Sequence, residues 1–430
     1  MKKKVLILGS GGREHAMAWA FSNDDNVSKV YCAPGNGGTN KIAENITINL
    51  ANRQEILRLA QEKKIDLTVV GPENPLASGI VDSFKEEGLR IFGPDAYGAQ
   101  LESSKLFARN LMAEKKILQP SFYSCNTRDE VESLKVILEL PLVLKADGLA
   151  AGKGVIVCET DEEFEKALKT IFIDGEFGEA AHRISLERCL VGEELSVFAV
   201  CDGENFIILN TAQDHKRAFD GDSGPNTGGM GAYSPTPLST PGLIDRVGVE
   251  IIQPTLDAMK DRGHPYTGFL YVGLMIVDGD PYVIEFNVRM GDPETQVVLP
   301  LLESSLFELL WDATEGNLNK SKVAISSKSA VTVVLAADGY PGKYEKGMKI
   351  KGLEKVQDRL VFHAGTLQKD HDIISNGGRI LNVVGFGKDL KSAIDDAYDI
   401  AKLIEYSGKY YRKDIGKRGI QYLKKGSKND

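Results

Sequence analysis

Three polar side chains alternate along one stretch near the middle of the chain. Glu285, Asn287 and Arg289 continue a run of β-branched and aromatic residues, positions 281–286, that predicts a β-strand. Side chains two positions apart leave a strand on the same face, so the three groups should lie together. Carboxylate and amide oxygens suit Mg²⁺, which keeps phosphate oxygens in its shell, and arginine forks onto phosphate. From this spacing alone, a magnesium and phosphate site and the polar outer face of an edge strand are about equally favoured.

A second candidate for phosphate binding is a run rich in glycine and alanine at positions 146–154, between predicted strands at 143–145 and 155–158. Because the run joins two strands, it is a hairpin and not the strand-to-helix turn of a P-loop. Its glycines allow close backbone approach to a triphosphate, and Lys145 and Lys153 would supply positive charge. The alternative is an exposed hairpin whose lysines are solvated.

The N-terminal part alternates strands with helices, which predicts an open parallel sheet. Its first strand ends in a glycine-rich turn, residues 9–12, that opens a helix and could offer backbone N–H groups to an anion. Glu14 stands where the third glycine of a dinucleotide-binding fingerprint would fall, so the turn is not that motif. A plain strand-to-helix turn is the alternative. Loops at the carboxyl ends of such strands are the usual ligand site.

The composition predicts a globular protein of three domains, because 430 residues exceed what one core supports. We expect domains at residues 1–101, 102–322 and 323–430, with a lid subdomain at about 122–190. The net charge of −9 argues against nonspecific binding to nucleic acid or anionic membranes. The five cysteines form no C-x-x-C pair, which indicates reduced thiols in the cytoplasm. No apolar run reaches the roughly 18 residues of a membrane-spanning helix.

Residues 213–231 read as one long loop of turn residues, and loops of that length in compact domains are usually functional. His215 within it has no partner at metal-ligand spacing, so we expect a hydrogen-bonded histidine and not a ligand.

Taken together, the motifs resemble those of the phosphoribosylamine–glycine ligase (glycinamide ribonucleotide synthetase) family of the ATP-grasp superfamily. The motifs are GSGGREHA at 9–16, PGN at 34–36, GPE at 71–73, KADGLAAGKGV at 145–155, QDHKR at 213–217, NTGGMG at 226–231 and EFNVRMGDPE at 285–294. In this order they are highly specific and cover essentially the whole chain. Many ATP-grasp enzymes carry a second metal carboxylate on the preceding strand. Here that strand reads YVGLM at 271–275, so Glu285 and Asn287 must carry the protein's share of coordination.

The resemblance implies an α/β and α+β multidomain fold: an N-terminal open parallel sheet, a central ATP-grasp domain with a small lid, and a small C-terminal α+β domain. Its implied metal ligands, for Mg²⁺ or Mn²⁺, are Glu285 and Asn287, and its implied catalytic residues are Arg289, Lys153 and Asp292. The implied ATP site comprises Lys105, Lys145, Gly152, Lys153, Gly154, Glu187, Cys189, Leu190 and Glu194. The implied substrate site comprises Gly11, Gly12, Arg13, Pro34, Gly35, Asn36, Glu73, Asp214, Gly228 and Gly229.

The reaction that the resemblance implies joins glycine to 5-phosphoribosylamine, with ATP, through a glycyl phosphate. Another ATP-grasp carboxylate–amine ligase is the alternative, and a non-catalytic nucleotide-binding protein of the same fold is a further one. We expect small-molecule partners only, a monomer, and neither nucleic acid nor membrane as a partner.

Overall fold

The N-terminal part is an open parallel sheet in a computed structural model that describes residues 2–149, 154–174 and 183–426. Its elements are β1 (Lys3–Gly9), α1 (Gly12–Ser22), β2 (Val27–Pro34), β3 (Glu44–Asn45), α2 (Arg53–Lys63), β4 (Leu67–Val70), α3 (Glu73–Ala77), α4 (Ile80–Glu86), β5 (Ile91–Phe92) and α5 (Gln100–Ser103). The strand order is β3-β2-β1-β4-β5. The centre of β1 and all of β4 are buried, and both are apolar except for Thr68, as expected for parallel strands covered on both faces.

The central part begins with α6 (Lys105–Glu114) and a separate four-stranded antiparallel sheet, the lid, ordered β6-β9-β7-β8. Lid elements are β6 (Phe122–Cys125), α7 (Arg128–Leu138), β7 (Leu142–Ala146), β8 (Val155–Cys158), α8 (Asp161–Phe172) and β9 (Ile184–Arg188). The lid has an apolar core of its own, built around side chains such as Phe164 and Leu186. A lid with its own core can move as a body against the rest of the protein.

The main central sheet is antiparallel, ordered β11-β10-β16-β17. Its strands and the remaining central elements are β10 (Glu193–Asp202), β11 (Phe206–Ile208), β12 (Gln213–Asp214), β13 (Arg217–Phe219), β14 (Ser223–Asn226), β15 (Gly231–Ser234), α9 (Pro241–Val247), α10 (Gln253–Asp261), β16 (Thr267–Val277), β17 (Asp280–Asn287), α11 (Thr295–Val298) and α12 (Leu306–Thr314). The expected single loop at 213–231 is therefore wrong, since it contains paired strands. The predicted strand at 281–286 is confirmed within β17.

The C-terminal part is α+β. Its elements are β18 (Ser329–Ala337), β19 (Leu360–His363), β20 (Thr366–Lys369), β21 (Asp372–Ser375), β22 (Arg379–Gly387), α13 (Leu390–Leu403), β23 (Lys409–Tyr410) and α14 (Lys417–Gly426). The main sheet is ordered β12-β15-β18-β22-β19, so two strands from the central part complete it. Tyr233 on β15 pairs with Val331 on β18, for example. The C-terminal sheet thus crosses the expected boundary at residue 322.

The N-terminal, central and C-terminal parts share one apolar cluster, which includes Phe21, Phe269 and Phe362. A shared core fixes the three parts against one another and leaves a junction between them. Among the described residues, no helix is both long and apolar enough to cross a membrane.

Candidate active site

Two adjoining cavities lie at the junction. The inner cavity, about 360 Å³, is lined from all three parts of the chain, for example by Arg13, Arg289 and Arg379. The lid cavity, about 400 Å³, lies between the lid and the central sheet and is lined by residues such as Val143 and Leu190. Glu285 lines both cavities. A molecule bound in the lid cavity would therefore reach the inner cavity beside this carboxylate.

Glu285, Asn287 and Arg289 line the inner cavity together, so β17 presents them to one space, as its alternation predicts. Gly273 lies opposite Glu285 in the sheet, and a Cβ there would come within 3.0 Å of the glutamate side chain. Burial would raise the pKa of the Glu285 carboxyl. Lys216, Lys105 and other nearby cations outweigh burial and hold that pKa below its ordinary value. The group is thus ionised at neutral pH, as a metal ligand must be.

The donor set at β17 fits a hard divalent cation, because it offers a carboxylate and an amide oxygen. Among the described residues, no group of three or more His, Cys, Asp or Glu side chains could hold a metal by itself. Phosphate and water oxygens would have to complete such a shell, as is usual for Mg²⁺ at phosphate sites.

Arg289 is held in place by carboxylates that flank it. Its guanidinium lies 2.7 Å from Glu102 and 3.5 Å from Glu73, and its buried Nε makes no hydrogen bond within the described part of the chain. Although burial opposes the charge, these carboxylates raise the pKa of Arg289. Glu102 also accepts from the Val288 N–H at 2.8 Å. Glu102 was missed in the sequence, since nothing in its local pattern distinguishes it from a helix-surface glutamate.

The lid cavity has an apolar slot and a buried charged floor. Val143, Val157, Met275 and Ile284 line the slot, which suits a flat aromatic base. The predicted residues Lys145, Glu187, Cys189, Leu190 and Glu194 all line this cavity. Lys216, which lies within the QDHKR motif but was not predicted as a site residue, has its ammonium 2.6 Å from the Glu194 carboxylate.

The floor of the lid cavity is an ion triad. Glu187, only 1% exposed, lies 2.6 Å from Arg109 and 2.9 Å from Lys145. A register shift in β17 leaves Ile284 out of the pairing with β16, and the Ile284 carbonyl accepts from both cations. The Glu187 side chain is thus occupied by the ion triad. Only the Glu187 backbone is left to contact the edge of an adenine base. Arg109 was missed because it lies 78 positions from Glu187 in the chain.

At the start of α1, the Glu14 side chain folds back onto the first turn. The Gly11 N–H donates to the Glu14 carboxylate at 2.5 Å, and the same carboxylate accepts from Arg13 at 2.6 Å. Gly12 packs against the C-terminal part, since a Cβ there would lie 2.4 Å from the Asn382 amide. Neither Gly11 nor Gly12 lines the inner cavity, and phosphate binding by these two residues stays a prediction. Arg13, for which a role in substrate binding stays a prediction, lines the inner cavity.

Pro34, Gly35 and Asn36 line neither cavity. The Asn36 amide donates to the Ser10 carbonyl at 2.9 Å and to the His363 carbonyl at 2.8 Å. Asn36 therefore links the N-terminal sheet to the C-terminal part by hydrogen bonds. Its predicted contact with substrate is not supported. The His363 N–H in turn donates to His15 Nδ1 at 2.8 Å.

Acid should weaken this hydrogen-bonded contact between the N-terminal and C-terminal parts. Burial lowers the pKa of His15 to about 4 and that of His363 to about 3, from an ordinary 6.5. The neutral rings are favoured in the folded state, so their stabilisation is complete above pH 6.5 and is lost as pH falls towards the folded values. Between pH 7 and 5, the titration of His15 should lower the free energy of unfolding of the protein by about 2 kcal/mol. The midpoint of thermal unfolding should fall less over this range in His15→Asn than in wild type or in a variant of the exposed His371. Equal falls in all three would contradict the assignment.

Other predicted residues divide between the cavity and its surroundings. Glu73, Lys105, Gly154, Asp214, Gly228 and Asp292 line the inner cavity. Gly229 does not, and a Cβ there would meet Pro293 at 2.4 Å. Gly152 and Lys153 lie outside the described residues. The missed Arg379 comes from the C-terminal part and lies 3.2 Å from the Asp292 carboxylate.

The lid and central sheet around a nucleotide-sized cleft define a protein with the ATP-grasp fold. A solved biotin carboxylase from Campylobacter jejuni has this fold too, with a TM-score of 0.72 at 16% identity over 96% of this chain and 93% of its own. Family models for phosphoribosylglycinamide synthetase match here: the N domain at residues 3–102, the ATP-grasp (A) domain at 103–295 and the C domain at 330–418. The chain belongs to this family.

Relatives with assigned names are similar in sequence to this chain over nearly their whole length. The phosphoribosylamine–glycine ligases of Vibrio vulnificus and Pseudomonas aeruginosa are each 48% identical, covering 97% of this chain and 98% of theirs. The crystal structure of the Thermotoga maritima phosphoribosylamine–glycine ligase, 37% identical, has a TM-score of 0.84 over 96% of this chain and 100% of its own.

Proposed function

We propose that the protein ligates glycine to 5-phosphoribosylamine with ATP, giving glycinamide ribonucleotide, ADP and phosphate in purine biosynthesis. The observation that carries this proposal is the inner cavity, where Glu285, Asn287 and Arg289 face Arg13 and Glu73 of the N-terminal part. A phosphoryl-transfer centre and a candidate sugar-phosphate site thus open into one space. The names of the relatives support the same reaction.

The first step brings two anions together, because the carboxylate of glycine attacks the γ-phosphate of ATP. Glu285 and Asn287 would hold Mg²⁺ or Mn²⁺, which supplies charge neutralisation on the phosphates when bound. Lys105 and Lys145 place positive charge along the triphosphate, and Arg289 lines the inner cavity, where it would meet the transferred phosphoryl group.

In the second step the sugar amine displaces phosphate from glycyl phosphate, so no covalent intermediate on the protein is required. Burial raises the pKa of each of the five thiols, to about 11 for Cys125 and Cys158 and about 12 for Cys32. Thiols with raised pKa values are poor nucleophiles at neutral pH. The cysteines are therefore structural, and their free state agrees with a reducing compartment such as the cytoplasm.

Cys189→Ala should keep the affinity for ATP within a few-fold of wild type. The residue lines the lid cavity, and its Sγ has only a weak contact, 3.8 Å from the Leu190 carbonyl. Adenine would meet the backbone here, which the substitution leaves in place. Titration with ATP by calorimetry checks this, and loss of binding would show that the side chain itself recognises the base.

Arg13→Ala and Glu73→Ala should each raise KM for phosphoribosylamine by roughly 10- to 100-fold. This is the change in affinity expected from the loss of one charge-assisted hydrogen bond. Arg13 would hold the sugar phosphate, and Glu73, of the wrong sign for phosphate, would hold ribose hydroxyls. KM for ATP should change little, because neither residue lines the lid cavity. Arg53→Ala, which removes an exposed arginine of the same part of the chain, is the matched control.

Both variants are tested by measuring steady-state ADP release with each substrate varied in turn. If both variants lose ATP binding, or if neither changes KM for phosphoribosylamine, the sugar-phosphate site lies elsewhere.

Glycine-dependent ADP release that requires phosphoribosylamine tests the whole proposal. Turnover with a different amino acid or amine would instead identify another ATP-grasp ligase, and its absence with every acceptor would indicate a binding protein. The monomeric state stays a prediction, which sedimentation equilibrium would test.

A further inference from the structure

The segment at residues 410–418, in the C-terminal part, is hydrogen-bonded to the QDHKR motif and to the residues that follow it. The Tyr410 hydroxyl donates to the Ala218 carbonyl at 2.8 Å, and the Gly416 N–H donates to His215 Nε2 at 3.4 Å. These two contacts join residues that are 192 and 201 positions apart in the chain. The C-terminal part therefore helps to fix the backbone of the motif.

Arg412 is the buried centre of this contact and is 1% exposed. Its Nη1 donates to the Arg217 carbonyl at 3.0 Å and to the Asp222 carboxylate at 2.9 Å. Its Nε and Nη2 each donate to the Asp414 carboxylate at 2.8 Å, which also accepts from the Gly221 N–H at 2.8 Å. All three nitrogens of a buried guanidinium are thus bonded, in the forked geometry that holds an arginine in one orientation.

Arg418, in the first turn of α14, extends the contact to the lid cavity, which it lines. Its Nη2 donates to the Asp214 carbonyl at 2.8 Å, and its Nε lies 3.6 Å from the Asp222 carboxylate. Gly419 beside it packs against the C-terminal sheet, since a Cβ there would lie 2.9 Å from the Tyr233 ring. The start of α14 is thus fixed on the sheet and carries Arg418 to the motif.

The two arginines hold the backbone on both sides of Lys216. Arg418 binds the carbonyl of Asp214, and Arg412 binds the carbonyl of Arg217. The side chain of Lys216 lines both the lid cavity and the inner cavity. A nucleotide that extends from one cavity into the other would therefore pass this ammonium group.

We infer that Arg412 and Arg418 are positioning residues, which set the place of Lys216 at the passage between the two cavities. This inference rests on the proposed function, in which ATP occupies the lid cavity and its phosphates reach the inner cavity. A lysine ammonium is a point charge on a flexible stem, so its place depends on the backbone that carries it. The C-terminal part thus contributes to nucleotide binding through Lys216.

The test is the affinity of the full chain for ATP in the presence of Mg²⁺, measured by calorimetry. Arg418→Met should weaken ATP binding by roughly 10-fold, the change expected from the loss of one hydrogen bond donated by a charged group. KM for ATP should rise by the same factor, and kcat should stay within a few-fold of wild type. Arg359→Met is the matched control, because this arginine of the C-terminal part pairs with Asp396 and lines neither cavity.

A double-variant cycle separates positioning from direct contact with the nucleotide. If Arg418 acts through Lys216, Arg418→Met should weaken ATP binding no further when Lys216→Met is already present, because the positioned ammonium is gone. Arg418→Lys keeps a donor for the Asp214 carbonyl and should recover part of the affinity. If Arg418→Met does not fold, Arg418→Lys takes its place in the same cycle, with a smaller expected loss.

Three outcomes would overturn the inference: an unchanged affinity for ATP in Arg418→Met, an equal loss of affinity in Arg359→Met, or an undiminished further loss in the Lys216→Met background. The last would mean that Arg418 itself contacts the nucleotide. Calorimetry requires no turnover, so these failures are distinct from failure of the proposed function. Wild type that binds ATP but shows no glycine-dependent ADP release would contradict the proposed function alone.

Discussion

Glu285→Gln is expected to lower kcat by at least about 100-fold, the scale of losing one group that stabilises developing charge in a closed site. The substitution keeps the size of the side chain but removes the anionic ligand that β17 presents to both cavities. The Mg²⁺ concentration for half-maximal rate should rise as well, because a neutral amide binds the ion less tightly. ADP release at several Mg²⁺ concentrations measures both effects.

Asp280→Asn is the matched control for this variant. Asp280 begins the same strand but is exposed and pairs with Arg246 on the surface at 2.9 Å, so its loss should leave kcat unchanged. Circular dichroism should show the same fold for both proteins. A Glu285→Gln enzyme with near-normal kcat and magnesium dependence would remove Glu285 from the metal site.

Glu187→Gln is expected to destabilise the lid by about 3–5 kcal/mol, the usual result of leaving buried charge without its partner. Glu187 forms an ion pair with both Arg109 and Lys145, each within 3 Å of it and each at most 7% exposed. Burial would raise the pKa of Glu187, yet the two cations lower it from 4.5 to about 2. That shift amounts to roughly 3 kcal/mol at neutral pH, lost as pH falls from 4.5 towards 2.

The double variant Arg109→Met with Glu187→Gln separates charge from packing. It removes one cation along with the acid, so it should recover part of the lost stability, a coupling of about 0.5–3 kcal/mol. Glu132→Gln, which breaks an exposed pair with Arg128 in the same lid, should cost less than about 1 kcal/mol. Calorimetry on the full chain reports these changes, and a Glu187→Gln midpoint equal to wild type would refute the role of the triad.

Local patterns predicted the parts of the site that lie on one strand or on a pair of neighbouring strands. Alternation along β17 placed Glu285, Asn287 and Arg289 on one face, and the strands that flank the glycine-rich run, β7 and β8, pair in the lid. At the start of α1, the sequence does not show that the Glu14 side chain folds back and accepts from the Gly11 N–H.

The site residues that the sequence did not reveal were missed for a different reason. Arg109 meets Glu187, and Glu102 meets Arg289 187 positions away, so their roles exist only after the chain has folded. Neither residue carries a periodic or motif signal by itself. The same applies to Arg379, which reaches Asp292 from the C-terminal part.

The sheet that combines β12 and β15 with β18 has a consequence for synthesis on the ribosome. Residues 231–234 leave the ribosome well before their partners at 330–333, about one hundred positions later. At a synthesis rate of roughly 5–20 residues per second, β15 would wait on the order of 5–20 s with its edge unpaired. During that interval the nascent chain exposes a strand edge that can pair with a neighbouring chain, so we expect faster translation over residues 235–330 to reduce aggregation.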